Sequence, residues 1–290
     1  MEVCHASYQI IADLLFERTG QQLTENRRWR IGSALASVFR EHGISNVDQL
    51  VCLLDEPGAS CRSSDIATDV VEALLNNETY FFRDKPTFDQ IPERILPDLA
   101  RKRAATRRLS IWCAGCSTGQ EVYSLSMLFE DDRERWRGWT IEILGTDVSG
   151  QAIRAARSGL YSQFEVQRGL GVVQMLQHFD ESASGWKIDP GLQRHARFQQ
   201  HDLLGRPIVA PRSCDLILCR NVLLYFDSQT RQLAFDRLAD AMVPSGYLML
   251  GAGETVIGNT RRFRPIPDRT SLYRVQETSA HETVSVMATT

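Results

Sequence analysis

Residues 111–121 (IWCAGCSTGQE) have the composition of a ligand-binding turn between a strand and a helix. In open α/β sheets, nucleotide-like ligands sit at such turns, at the carboxyl ends of strands. Gly115 and Gly119 lack a Cβ atom, so the backbone there can approach a ligand closely. The segment has neither the ending of a P-loop nor a G-x-G-x-x-G pattern, so it is a poor phosphate cradle. It favours a nucleoside ligand, with an ordinary βα loop as the alternative.

Two aspartates follow candidate strands further along the chain. Asp147 lies roughly twenty to thirty residues past the glycines, where a carboxylate can accept hydrogen bonds from both ribose hydroxyls. The alternative is that Asp147 is the N-cap of the next helix, in competition with Ser149. Asp202 ends another candidate strand, where we expect its side chain to hold an adenine amino group.

The segment 76–84 (NNETYFFRD) places aromatic residues beside an arginine, between a helical region and a sheet region. A plain linker would be polar and small. In the alternative interpretation, residues 80–82 pack an interface and Arg83 is a solvated charge. That explains the aromatic residues but not their clustering with Asn77 and Thr79.

Together these segments resemble the chemotaxis receptor methyltransferase family, CheR. The resemblance covers roughly residues 8–275 and rests on five motifs in the family's order: Asn77-x-Thr79-x-Phe81-Phe82-Arg83, residues 116–124 (CSTGQEVYS), Thr146-Asp147, Ala156-Arg157-x-Gly159-x-Tyr161 and residues 219–226 (CRNVLLYF). It implies methyl transfer from S-adenosyl-L-methionine to glutamate side chains on the cytoplasmic helices of chemoreceptors. The products would be glutamate methyl esters and S-adenosyl-L-homocysteine.

The resemblance also implies the site residues, position by position. The positions that match cofactor contacts are Asn77, Thr79, Arg83, Glu121, Asp147, Asp202, Leu203, Arg220 and Asn221. Among them Asp147 matches the ribose ligand. Asp202 stands where the family usually has asparagine. Arg83 and Tyr225 match residues close to the transferred methyl, so they are the catalytic candidates, and no metal ligand is implied.

Such a reaction needs no general base, because a glutamate with a reference pKa near 4.3 is already ionised at neutral pH. A sulfonium methyl donor is likewise already activated, so an absent His–Asp constellation is expected. Aligning oxygen, methyl carbon and sulfur can supply about 7–11 kcal/mol. We hypothesise that Arg83 orients the incoming carboxylate by a bidentate contact and that Tyr225 borders the sulfonium.

Two departures from the family pattern concern the receptor. The family usually shows an R-L-x-x-R pattern on its second helix, whereas residues 34–38 read ALASV. The nearby arginines that are candidates to replace it are Arg27, Arg28, Arg30 and Arg40. The chain is also short between residues 179 and 186, which favours an enzyme that needs no C-terminal receptor pentapeptide.

The surrounding patterns predict the elements that position these motifs. Helical periodicity without strand signals makes residues 1–76 a helical N-terminal domain, followed by a linker at 77–92 that carries the NxTxFFR motif. From 93 to 276, strands alternate with helices, which predicts a doubly wound, mainly parallel α/β sheet. The strand candidates are 109–113, 141–146, 214–219, 246–250 and 271–275.

A break in this alternation predicts a β-subdomain inserted at residues 160–200. We expect strands 186–188 and 196–199 to pair in it as a small antiparallel piece, with a turn at 189–191. The tail, residues 277–290, is polar and small and is expected to be disordered.

The composition limits the function classes. A formal net charge of -3 argues against bulk attraction to nucleic acid. Acidic residues interrupt the first twenty residues, and no window approaches the roughly 18 apolar residues of a membrane span, so we expect a cytoplasmic protein without membrane insertion. Seven cysteines fit a reducing compartment. Cys113-x-x-Cys116 lacks the second pair of a zinc site, and a redox role is its alternative. A monomer is the default expectation.

Two other functions remain as alternatives. One is a methyltransferase for another substrate, such as nucleic acid. Amine-methylating enzymes on this scaffold often carry an Asn-Pro-Pro-aromatic motif, whereas residues 221–225 read NVLLY. The other is a non-catalytic module that binds the cofactor or a receptor. The joint presence of Arg83, Glu121, Asp147 and Tyr225 argues against it.

Overall fold

The computed structural model describes residues 5–24, 28, 31–54 and 61–276. The sequence also predicts a cap of the second helix at residues 24–27, an end of that second helix at Gly43 and a stop of the third helix at 57–58. The cap lies partly outside the described residues, and the stop at 57–58, Arg27, Arg30 and the tail at 277–290 lie wholly outside them. Within the described ranges, the helices are all too short or too polar to cross a membrane.

Helices dominate the part before residue 75 and have their own core. They are α1 (His5–Thr19), α2 (Ile31–Ala34), α3 (Ala36–His42), α4 (Val47–Leu54) and α5 (Cys61–Leu74). Their apolar faces bury Ile11, Leu35, Leu50 and Val70 completely. The predicted end of the second helix at Gly43 is confirmed, since Gly43 adopts a left-handed conformation with φ 67° and its N–H bonds to Phe39 O.

A seven-stranded sheet forms the centre of the rest of the chain. Its strands are β1 (Arg108–Ala114), β2 (Thr140–Asp147), β6 (Ala196–Gln200), β7 (Cys214–Cys219), β8 (Met242–Leu250), β9 (Phe263–Pro265) and β10 (Leu272–Val275). The order is β6-β2-β1-β7-β8-β10-β9. The first five strands are parallel to one another, β10 runs antiparallel to β8, and β9 runs antiparallel to β10. The predicted doubly wound α/β sheet is confirmed.

Helices cover both faces of this sheet. Before β1 come α6 (Lys85–Phe88), a π-helical turn (Ile91–Ile95) and α7 (Leu96–Lys102); α8 (Gln120–Asp131), α9 (Gly150–Ser158) and α13 (Ser228–Ala241) follow β1, β2 and β7. Strand β1 alternates between the two layers. Ile111 and Cys113 pack in the cluster that contains α8, whereas Trp112 and Ala114 pack in the cluster that contains α13.

The strand order reverses at β1, because the chain runs outward through β2 and β6 and then returns to β7 on the other side of β1. Such a switch point leaves a crevice at the carboxyl ends of the two central strands, where doubly wound folds bind their ligands. The sheet therefore positions the ends of β1 and β7 as the candidate site.

The predicted pairing inside the insertion is wrong. Strand β5 (Gly185–Ile188) lies between β3 (Leu160–Tyr161) and β4 (Phe179–Ser182) in a three-stranded antiparallel sheet, with helices α10 (Gln163–Gln167) and α11 (Val172–His178) between β3 and β4. The expected turn is the short helix α12 (Pro190–Gln193), whose first turn is capped by Asp189 through a bond from Gly191 N. Strand β6 then continues along β2 in the large sheet, so the insertion ends before residue 196.

Candidate active site

A cleft of about 930 Å³, which includes space open to solvent, lies at the switch point. All ten site residues indicated by the sequence line it: Asn77, Thr79, Arg83, Glu121, Asp147, Asp202, Leu203, Arg220, Asn221 and Tyr225. The resemblance therefore names residues that the fold brings together from five separate parts of the chain.

The glycine turn is built on the ends of β1 and β2. Gly115 N and Cys116 N donate to Thr146 O at 2.8 and 2.9 Å, and Gly115 has φ 78°. A Cβ atom on Gly115 would lie 2.3 Å from Val222 Cγ2. Gly115 thus makes room for the loop after β7, a role that the sequence did not indicate.

Replacing Gly115 with alanine tests this contact. We expect Gly115→Ala to lower the free energy of unfolding by about 1–3 kcal/mol from overpacking, added to about 1 kcal/mol for the left-handed backbone. Gly43→Ala is the matched control, because Gly43 is also left-handed but no described atom lies within 4 Å of its added Cβ. Urea unfolding measures both, and equal losses would show that the contact with Val222 is unimportant.

Asp147 is buried and ties two backbone segments together. Its Oδ2 accepts from Ser117 N at 2.8 Å and its Oδ1 from Ser149 N at 2.9 Å. Burial raises the pKa of Asp147, and the two backbone N–H groups oppose that rise. The N-cap of α9 is Ser149, whose hydroxyl accepts from Ala152 N, so the N-cap interpretation of Asp147 is wrong.

Glu72, near the end of α5, contacts the start of α9. Its Oε1 accepts from Gly150 N at 2.6 Å and from Gln151 N at 3.2 Å, and its Oε2 accepts from the Ser149 hydroxyl. A carboxylate at a helix N-terminus is stabilising. Its charge contributes to the raised pKa of Asp147. The helical part of the chain is thereby attached beside the cleft.

A buried ion pair joins Arg220, at the end of β7, to Glu121, at the start of α8. Arg220 Nη1 lies 3.1 Å from Glu121 Oε2, and Nη2 donates to Arg83 O at 2.6 Å and to Asp84 Oδ2 at 3.1 Å. Burial raises the pKa of Glu121, and the Arg220 charge opposes the rise. Arg220 thus connects the sheet, a helix and the 77–84 segment.

Phe81 and Phe82 of the 77–84 segment pack in the core of the sheet domain and its insertion, and not in an interface with the helical part of the chain as the alternative interpretation had it. Phe81 is completely buried against Tyr161 and Phe179, at centroid distances of 5.2 and 5.4 Å. Phe82 has φ 51°, in a region that bulky residues rarely adopt, and its N–H donates to Ser124 Oγ at 3.0 Å. A strained backbone of this kind is typical of functional sites.

Arg83 is held in place and is not a plain solvated charge. Its Nη1 donates to Glu78 O at 2.7 Å, and its guanidinium lies 5.5 Å from the centroid of the Tyr80 ring. Arg168, from the insertion, stacks on the same ring at 4.4 Å and pairs with Glu78 at 2.6 Å. The inserted subdomain therefore supports the rim of the cleft.

Tyr225 lies in a 3₁₀ turn (Leu223–Tyr225) that contacts the helical part of the chain. Its hydroxyl accepts from Asn76 Nδ2 at 2.7 Å, and its carbonyl accepts from Gln22 N at 2.8 Å. Asp202 also lines the cleft, and its Oδ1 accepts from Leu204 N at 2.9 Å. The neighbouring His201 has a pKa lowered by burial.

The cleft is also lined by residues that were not among those ten. They are Thr19, Gln21, Leu75, Asn76, Glu78, Tyr80, Phe88, Gly115, Cys116, Ser117, Thr146, Val148, His201, Val222 and Phe226. Most are direct neighbours of indicated residues, so chain proximity was the available signal. Thr19 and Gln21 reach the cleft because an antiparallel β-bridge joins Gln21 to Phe226, and no local sequence pattern indicates that bridge.

The charge of the cleft favours a cationic ligand. Four acidic residues line it against two arginines; the acidic residues are Glu78, Glu121, Asp147 and Asp202. Asn221 also presents a buried Oδ1 that has no hydrogen-bond partner in the described part of the chain. Unsatisfied buried acceptors are rare and point to a donor from elsewhere. These features fit a nucleoside that carries a sulfonium and an ammonium, and they do not fit a phosphate.

Comparisons with known proteins agree with this fit. Residues 77–272 match the family model described as CheR methyltransferase, SAM binding domain. The chain is 31% identical over 260 residues to chemotaxis protein methyltransferase 1 of Pseudomonas aeruginosa, covering 88% of this chain and 92% of that relative. It is also 31% identical over 244 residues to chemotaxis protein methyltransferase Cher2 of Pseudomonas putida, covering 82% and 86%. The chain therefore belongs to the CheR methyltransferase family, and S-adenosyl-L-methionine is its methyl donor.

Proposed function

We propose that this protein is a chemotaxis methyltransferase that esterifies glutamate side chains on the cytoplasmic helices of chemoreceptors. The observation that carries the proposal is the position of Arg83 on a largely acidic cleft. Arg220, the other arginine of the cleft, is buried among carboxylates. Arg83 is half-buried at the cleft, where a guanidinium is suited to receive an anionic acceptor. The names of the relatives support chemotaxis as the setting.

In the proposed mechanism the residues position groups and transfer no proton. Bound S-adenosyl-L-methionine supplies an activated methyl group. Arg83 orients the glutamate carboxylate, and Tyr225, held by Asn76 and Gln22, borders the methyl. Asp147 holds the ribose, because each of its oxygens still has a free lone pair after its backbone bond. Because opposite charges cancel in the reaction, a water-poor site favours it.

The other contacts follow from the same placement. We propose that Asp202 accepts from the adenine amino group through Oδ2, since its Oδ1 is already bonded to Leu204 N. Asn221, which lines the cleft, is a further proposed contact to the donor. Arg220 holds Glu121 and the Arg83 backbone in place. The remaining cofactor contacts are Asn77, Thr79 and Leu203.

Receptor docking is proposed to involve the helical domain, residues 1–76. Arg28, which lies 5.4 Å from the centroid of the Tyr8 ring, and Arg40, in the last turn of α3, are the described arginines that stand in for the missing family pattern. The β4–β5 hairpin has a two-residue turn at 183–184. Such a short hairpin supports an enzyme that needs no receptor pentapeptide.

Transfer of labelled methyl to receptor-containing membranes tests the function. We expect incorporation that is released by mild base, because methyl esters hydrolyse whereas methylated amines do not. Membranes without receptors serve as the control. Base-stable label would indicate a different substrate, and donor binding without any transfer would indicate a non-catalytic module.

The raised pKa values of Asp147 and Glu121 predict how donor binding depends on pH. Both carboxyls take up a proton at a higher pH than their ordinary values of 3.8 and 4.5. Affinity for the cationic donor should therefore fall as pH decreases towards those values from above. Since a raised pKa means that the folded state binds the proton more tightly, protonation of these two groups stabilises the fold.

Calorimetric titration of the donor between pH 8 and pH 5, with thermal unfolding measured at each pH, checks this prediction. We expect affinity to be lost while the protein is still folded. Loss of affinity only in parallel with unfolding would contradict it.

A further inference from the structure

A single carboxylate organises the loop that follows β7. Glu254, in the loop after β8, accepts hydrogen bonds from five backbone N–H groups. Four belong to consecutive residues of the loop, and the bonds are Asn221 N to Oε2 (2.7 Å), Val222 N to Oε1 (3.0 Å), Leu223 N to Oε1 (2.7 Å), Leu224 N to Oε1 (3.3 Å) and Gly251 N to Oε2 (2.8 Å). Successive backbone N–H groups that converge in this way form an anion-binding concavity. Here the anion is a side chain of the same protein.

The loop that Glu254 organises carries several of the cleft residues. Asn221, Val222 and Tyr225 all line the cleft, and Asn221 adopts a left-handed conformation with φ 61°. This conformation is needed to turn four N–H groups towards one carboxylate. It also leaves Asn221 Oδ1 buried and without a partner among the described residues. Glu254 itself does not line the cleft, so it acts on a ligand through this loop.

A second side chain binds backbone carbonyl groups of the same loop. Arg231, on α13, donates from Nε to Leu223 O at 3.1 Å and from Nη2 to Phe226 O at 2.8 Å. Its Nη1 donates to Asn259 Oδ1 at 3.0 Å. One side chain thus fixes the N–H groups and another fixes the carbonyl groups. The position of the Tyr225 ring between them is set from two sides.

We propose that Glu254 is a positioning residue for methyl transfer. Its charge draws the N–H groups of residues 221–224 inward, and this directs Asn221 and Tyr225 towards the methyl donor. The proposal rests on the proposed function. Charge and length are both required. Glutamine would place an NH₂ group against N–H donors, and aspartate would withdraw both oxygens by one carbon–carbon bond.

The test compares Glu254→Gln with a matched control, Asp215→Asn. Asp215, like Glu254, is a carboxylate that accepts from a backbone N–H, here Ser110 N at 3.0 Å; it is buried, whereas Glu254 is half-buried, and it also accepts from Arg103 Nε at 2.6 Å. It lies at the start of β7, at the opposite end of the strand from the cleft. Both substitutions should lower Tm. Only Glu254→Gln should also raise the Kd for S-adenosyl-L-methionine and lower kcat, each by about tenfold or more.

The measurements are calorimetric donor binding and initial rates at saturating donor, made well below the lower Tm. Glu254→Asp should give an intermediate loss of kcat, and Arg231→Met should reproduce the loss without touching the carboxylate. If Glu254→Gln does not fold, these two variants carry the test. Variants with lowered Tm but unchanged Kd and kcat would overturn the proposal. Wild-type protein that transfers no methyl to receptors would instead refute the proposed function.

Discussion

Replacing Arg83 with alanine should lower kcat/KM for receptor methylation by at least about a hundredfold. Misplacement of a reacting group by about 1 Å can cost that much, and alanine removes the group that we expect to orient the carboxylate. Donor binding should weaken far less, because Asp147, Glu121 and Asn221 remain. Initial rates with receptor membranes, together with calorimetric donor binding, separate the two effects.

Two further variants sharpen this prediction. Arg168→Ala is the control, since Arg168 stacks on the same Tyr80 ring but does not line the cleft. It should keep most of the activity. Arg83→Lys retains the charge but loses the bidentate geometry, so it should recover only part of the rate. If Arg83→Ala methylates receptors as fast as the wild type, another residue must orient the acceptor.

Replacing Arg220 with methionine should cost about 3–5 kcal/mol of folding free energy, the usual result of removing one partner from a buried ion pair. The side chain of Arg220 is 2% exposed, and its loss leaves the buried Glu121 carboxylate without its charge partner. The pKa of Glu121 should rise further, because Arg220 now opposes the effect of burial. The loss should therefore shrink as pH falls and Glu121 becomes protonated.

A double-mutant cycle measures the pair directly. Glu121→Gln should be milder than Arg220→Met, and the double variant should recover part of the lost stability because the buried carboxylate is gone and the other carboxylate bonded to Arg220, Asp84, is 30% exposed. Urea unfolding at pH 8 and pH 5.5 provides the values. Additive effects at both pH values would show that the two side chains act independently.

Five strands of the large sheet could be predicted because their signals are local. Short apolar runs such as 214–219 alternate with helical stretches, and this pattern follows from burial on both faces. The small sheet could not be paired correctly in the same way. Strand β3 has two residues, and its partner β5 lies beyond two helices, so no periodicity within either segment indicates the contact.

Some residues of the candidate site could be predicted from local sequence patterns, and others could not. Asp147 could be placed because it directly follows an apolar run that ends at a sheet edge. Glu254 could not, because its partners are about thirty residues away and are backbone N–H groups, which have no residue type. Gly115 was indicated as a turn residue, but no sequence pattern indicated its close neighbour Val222. Sequence patterns thus identified side chains that follow strands. They missed side chains, such as Glu254, that bind the backbone of a cleft loop without lining the cleft.

The bond between Glu72 and the start of α9 has a consequence for how the protein can be divided. The family match begins at residue 77, yet earlier residues form one wall of the cleft, among them Thr19, Gln21 and Asn76. A fragment that starts at residue 77 would keep the seven strands of the large sheet. It would lose that wall and the Glu72 carboxylate at the N-terminus of α9. The part of the chain that builds the cleft is therefore larger than the part that the family model matches.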